Sequence, residues 1–176
     1  MRVPGRLHIT WENDTTLKIE TDAGRQTRIL SFGAARTTGA PAPQGISAAQ
    51  WQTPQLTREF TSKISAQDPN TPGFPGIQPL RPAPDTRNLG GLLKVVTTRL
   101  SPGYLRNNGV PYSANAVLTE YYNLHKRNGA EYLVVTQSVD DPAYLYVPWV
   151  TSNNFRREPD GSKWDPRPCE LILPSK

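Results

Sequence analysis

The sequence holds a single cysteine and only two histidines among its 176 residues. One thiol makes no intramolecular disulfide, and this set falls short of the usual Cys/His ligands of a structural zinc, so no metal site is expected. No run of about 18 apolar residues occurs, so no membrane-spanning helix is expected. The opening MRVPGRLHIT lacks the apolar stretch of a secretory leader. The motifs G-x-x-x-x-G-K-[ST], G-x-G-x-x-G after a strand, H-E-x-x-H and G-x-S-x-G are also missing. That removes sequence support for phosphate-loop, dinucleotide, zincin and α/β-hydrolase chemistry, and no cofactor is expected.

What is present bounds the fold. Apolar residues make up 36%, enough for one core, and charged residues 20%, too few for a charged disordered chain. The net charge is +5, which suits an anionic partner or simply a basic surface. Nucleic-acid binders gather Lys and Arg on one stripe with interleaved aromatics. Here the tight pairs are Lys126-Arg127, in an expected turn, and Arg156-Arg157, after an expected strand, so no nucleic-acid partner is expected.

Periodicity is two. In RLHITW, Leu7, Ile9 and Trp11 share a face, and TLKIETD follows the turn residues Glu12-Asn13-Asp14. After Asp22-Ala23-Gly24, QTRILSF is a third strand. Residues 34–90 read as a proline-rich irregular insert, since nine of the eighteen prolines lie between Pro41 and Pro84 and each removes a ladder donor. Within it, LTREFTSKIS reads as one more strand, and Trp51 in GISAAQW as a tether to the sheet. Strands return in LLKVVTTRL, AVLTEYYNLHK, AEYLVVTQSV, YLYVPWVTSNNF and CELIL, with Arg127-Asn128-Gly129 as a hairpin turn. Pro148 within YLYVPW points to an edge position or a bulge. The expectation is a single all-β domain over residues 1–176. About eight strands, in groups 1–33 and 91–176, form an antiparallel meander that curls into a small barrel or sandwich.

Alternation sets Leu118, Glu120, Tyr122 and Leu124 on one face of their strand, with Val117, Thr119 and Tyr121 on the other. If the first face points inward, Glu120 is a carboxylate among apolar neighbours beside a phenol, a setting for general acid or base work. The alternative is a Glu120 that faces water, or one that pairs with Lys94, or with Arg28 if the two strand groups meet. His8 reads as a rim residue, and His125 as a cation flanking a turn. Tyr104, Arg106, Asn108, Tyr112, Trp149 and Trp11 are the candidate ligand contacts at the mouth and lining of such a barrel. The same aromatics also suit a filled core.

Two stretches, MRVPGRLHITWENDTTLKIETDAGRQTRIL and LKVVTTRLSPGYLRNNGVPYSANAVLTEYYNLH continued through EYLVVTQSVDDPAYLYVPWVTSNNFRREPDGSKWDPRPCE, resemble a family of uncharacterised bacterial proteins of acidobacterial type. The resemblance implies an exported or periplasmic protein with a lipocalin-like barrel. It also implies that Met1 is an internal family position, with a disulfide partner for Cys169 in a part that precedes it. It carries no activity.

Three functions remain as expectations. The first is a lipocalin-like module for a small, largely apolar ligand. The second is a cofactor-independent isomerase, lyase or cyclase with Glu120 as acid or base, Tyr122 as oxyanion donor and Arg106 or Asn108 as clamp. The third is a cell-envelope interaction protein that docks through its proline-rich insert.

Overall fold

A computed structural model describes residues 5–33, 39–52, 92–105 and 109–168. These residues contain strands and turns but no helix, so none crosses a membrane as a helix. The strands are β1 (Leu7–Asn13), β2 (Thr16–Thr21), β3 (Thr27–Phe32), β4 (Ile46–Gln52), β5 (Leu92–Thr98), β6 (Gly103–Tyr104), β7 (Pro111–Tyr112), β8 (Val117–Arg127), β9 (Ala130–Asp140) and β10 (Trp149–Arg156). Eight form one sheet in the order β1-β2-β3-β4-β5-β8-β9-β10, curled into a half-barrel, while β6 and β7 pair separately.

The turns follow from their residues. Asn128 and Gly129 both have positive φ (50° and 74°), the geometry of a two-residue hairpin whose twist matches its strands. Asn13 accepts from the Thr15 backbone N–H at 3.0 Å and so tightens the β1–β2 turn, beside an irregularity between Trp11 and Asn13.

The meander has one departure. β3 and β4 are parallel, with Leu30 opposite Ser47 and Phe32 opposite Ala49. A parallel pair needs a crossover of a dozen or more residues, and thirteen positions separate Phe32, the end of β3, from Ile46, the start of β4. GISAAQW is therefore not irregular: Ile46–Gln52 is a central strand that also pairs with β5 over its full length. Its alanines and serine are weak strand formers, and pairing on both sides overrides that preference. Residues 141–148 form turns, so the run YLYVPWVTSNNF becomes a strand only at Trp149. Pro148 stands just before this edge strand, where a missing donor is tolerated. The expected strands LTREFTSKIS and CELIL lie outside the described residues.

The concave face buries the core. One cluster joins Leu17, Ile19, Leu30, Ala49, Leu93, Val95, Tyr122 and Val135; a second joins Leu100, Leu105, Ala116, Leu118 and Val139. Leu30, Val95 and Leu118 are fully buried, each contributing about 1.5–3 kcal/mol of transfer free energy. After β10 the chain returns to the opposite edge. Arg167 N–H donates to the Asp22 carbonyl and Gly24 N–H to the Arg167 carbonyl, both at 2.8 Å. Trp164 packs on the His8 ring at 5.6 Å. Residues 157–168 are thus a strap from one edge of the half-barrel to the other.

Candidate functional site

The side chains that alternation directs inward on β8 meet their partners across the curl. Arg28 sits on β3 and Glu120 on β8. Arg28 Nη1 and Nη2 donate to Glu120 Oε1 and Oε2 at 2.9 and 2.6 Å, a two-pronged pair in which both residues are buried. Nη2 also reaches Thr97 Oγ1 at 3.2 Å and Ser47 Oγ at 3.4 Å, and these two hydroxyls bond each other at 2.8 Å. Gln137 Nε2 donates to Glu120 Oε1 at 2.7 Å. That contact fixes the amide orientation, because the flipped amide would set oxygen against carboxylate.

Burial by itself lowers the Arg28 pKa, but the charge and hydrogen bonds of Glu120 outweigh it and hold the guanidinium above its ordinary value. Burial pushes the Tyr122 phenol up, and the Glu120 charge adds to the rise against the opposing Arg28. The expected Glu120–Tyr122 neighbourhood is therefore present, with Arg28 as the partner. Lys94 is not that partner: it pairs in register with Tyr121 and lies 6.0 Å from the Tyr121 ring, on the other face of the sheet.

A general base needs a lone pair free to take a proton from substrate. The Glu120 carboxylate already accepts three hydrogen bonds inside the core. This arrangement ties β3, β4, β5, β8 and β9 together and suits a structural centre. Among the described residues, Arg28 Nε and Gln137 Oε1 have no hydrogen-bond partner.

The predicted ligand contacts separate. Tyr112 and Trp149 pack against the second cluster, and Tyr104 is exposed on β6. Arg106 and Asn108 lie outside the described residues. Trp11 stands at the other end of the concave face, where the alternation of β1 directs it, and it is 51% exposed. There its ring lies 5.1 Å from Phe32, which lies 5.9 Å from Trp51, itself 57% exposed. Three rings from β1, β3 and β4 thus form a continuous row, Phe32 stacked on Trp51 and Trp11 tilted 35° to Phe32, with both outer indoles open. Leu124, inward by alternation, extends past the core on the β8–β9 hairpin and is 61% exposed at the same end. Sequence reasoning missed Phe32 and the role of Trp51. The spacing of Ser47, Ala49 and Trp51 in ISAAQWQ carries the period-two signal that places Trp51 on this face.

Two buried aspartates secure the loops. Asp22 accepts from the Arg6 backbone N–H at 2.9 Å and from Ala23 N–H at 2.7 Å, and pairs with the Arg6 guanidinium at 3.1 Å. Asp141 accepts from Ser113 N–H, from Ser113 Oγ at 3.0 Å and from Ala143 N–H at 3.1 Å. Burial pushes both carboxyls up, but these donors prevail and hold both below the ordinary aspartate value. Among the described residues no group of His, Cys, Asp and Glu is arranged to hold a metal ion.

Comparison with protein-family models, curated proteins and solved structures finds no match. None of these comparisons bears on the expected resemblance to exported bacterial proteins.

Proposed function

We propose that the chain binds a small, largely apolar ligand at the end of the concave face where Trp11, Phe32 and Trp51 form a row. The observation that carries this reading is the exposure of both outer indoles, at 51% and 57%, at the end of a face whose middle is buried. Contiguous apolar surface of this kind marks interaction sites, and neighbouring aromatic rings offer a large, rigid apolar contact area. The ligand rests on the end of the half-barrel, because side chains and the Arg28–Glu120 network fill its middle. A catalytic role for Glu120 and Tyr122 is the weaker reading, since the carboxylate is engaged by Arg28 and Gln137.

The test is titration with a neutral apolar fluorophore, read by its own emission and by quenching of tryptophan. The expected result is saturable binding that weakens about tenfold or more in Trp11→Ala and Trp51→Ala and is unchanged in Tyr104→Ala, the row having lost an aromatic contact worth about 1 kcal/mol beyond its buried area. No binding, or binding indifferent to both tryptophans, overturns the proposal.

A further inference from the structure

The aromatic end of the concave face has a charged rim, and its two sides differ in sign. One residue row beyond the facing pair Leu124 and Leu133, the inward positions become Lys126 opposite Glu131. Phe155 faces Leu133 in register, and Arg157 N–H then donates to the Glu131 carbonyl at 2.9 Å. Lys126 Nζ lies 3.2 Å from Glu131, and the Arg157 guanidinium pairs with the same carboxylate. Two cations thus share one anion, and the Lys126 and Arg157 side chains remain 78% and 74% exposed. Across the half-barrel, the β1–β2 turn beside Trp11 carries Glu12 and Asp14, both exposed. The apolar strip therefore runs from an acidic corner at β1–β2 to a corner of net positive charge at β8–β9.

We propose that the ligand is a single-chain amphiphile with an anionic head, its tail along the Trp51–Phe32–Trp11 row and its head at Lys126 and Arg157. This rests on the apolar-ligand reading above and adds the head group and the orientation. In register Trp51 leads through Leu93 and Tyr122 to Leu124 and Leu133 and then to the cationic corner, with no charge on the inward face of β8 between Tyr122 and Lys126. The head takes part of the donor capacity now directed at Glu131, and the acidic corner repels it from the opposite orientation. Both cations are exposed, so the head-group contribution is that of a surface charge pair and sets orientation and preference more than total affinity.

The experiment compares decanoate, decanol and decyltrimethylammonium, each below its aggregation threshold, by displacement of the neutral fluorophore from the full chain. Decanoate is expected to displace about two- to fivefold better than decanol, and the ammonium worse than decanol, as exposed charge pairs allow. Lys126→Gln with Arg157→Gln is expected to abolish the decanoate preference and leave decanol unchanged. Glu131→Gln, which frees both cations, is expected to enlarge it. Equal displacement by all three probes overturns the head-group assignment and leaves apolar binding standing. A preference that survives the double substitution, or that shrinks in Glu131→Gln, overturns it as well. Failure of every probe to displace a fluorophore that does bind also overturns it, whereas failure of the fluorophore itself removes the underlying reading. Co-sedimentation with anionic phospholipid vesicles in the absence of decanoate displacement shows a membrane surface as the partner and overturns the single-chain ligand.

Discussion

Glu120 and Arg28 are separated by 92 positions in the chain and meet at 2.6 Å in the middle of the concave face. The pair stands where β3 and β8 face each other across β4 and β5. Its charges are out of water, so the attraction is offset by desolvation, and the pair joins β3 to β8 across the two strands between them.

Glu120→Gln leaves the Arg28 charge buried without its partner. The expected loss is about 3–5 kcal/mol, read as the urea midpoint by tryptophan fluorescence. Arg28→Met is expected to cost a similar amount. The double change Arg28→Met with Glu120→Leu is expected to recover roughly half of the larger single loss or more, because no stranded charge remains. A double variant as unstable as the two single losses combined would contradict this account.

Stability is expected to be flat from mildly acidic to mildly alkaline pH and to fall on both sides. Asp22 and Asp141 titrate below the ordinary aspartate value in the fold. Their contribution is whole above about pH 4, the unfolded value, and is lost as pH falls through the lower folded values. Tyr122 is raised, so its contribution is whole below about pH 10 and is lost above it, where the unfolded phenol ionises first. Urea midpoints across pH check both limbs, and Tyr122→Phe should flatten only the alkaline one.

Asp141→Asn keeps the shape of the side chain but turns one acceptor into a donor that faces backbone N–H groups. The expected cost is about 1–3 kcal/mol. Hydrogen exchange should show faster opening of the Ser113 and Ala143 amides, while β1 and β2 stay protected. Uniform loss of protection would mean that Asp141 holds more than its own corner.

Gly45→Ala tests the crossover. Gly45 has φ +61°, and a Cβ there would run into the Thr98 carbonyl oxygen and the Thr97 methyl. The expected loss exceeds 1 kcal/mol. Gly109→Ala, with positive φ but open space around it, should cost less.

The strand pattern was legible wherever one face met water. Leu7–Ile9–Trp11, Leu118–Glu120–Tyr122 and the Asn128-Gly129 turn all stand where alternation and turn chemistry put them. The parallel β3–β4 pair was not, because strand direction depends on where residues 33–45 carry the chain, and no local preference records that. β4 was hidden by composition: Ser47, Ala48 and Ala49 form a strand because β3 and β5 flank them, and Gln50 because β5 does. Arg28 was legible as a partner for Glu120 only on condition that the strand groups meet. The Trp11–Phe32 contact depends on curvature, which brings rings from the strands on either side of β2 to 5.1 Å; local spacing records the face of each ring but not that they meet.

The strap of residues 157–168 bears on biosynthesis. Asp22 and Gly24 receive their backbone partners from Arg167, a residue translated long after them. On the ribosome the first hairpins must wait, with that turn hydrated and the two edges of the half-barrel not yet strapped together. Released chains that end before and after Arg167 should therefore differ in protease resistance.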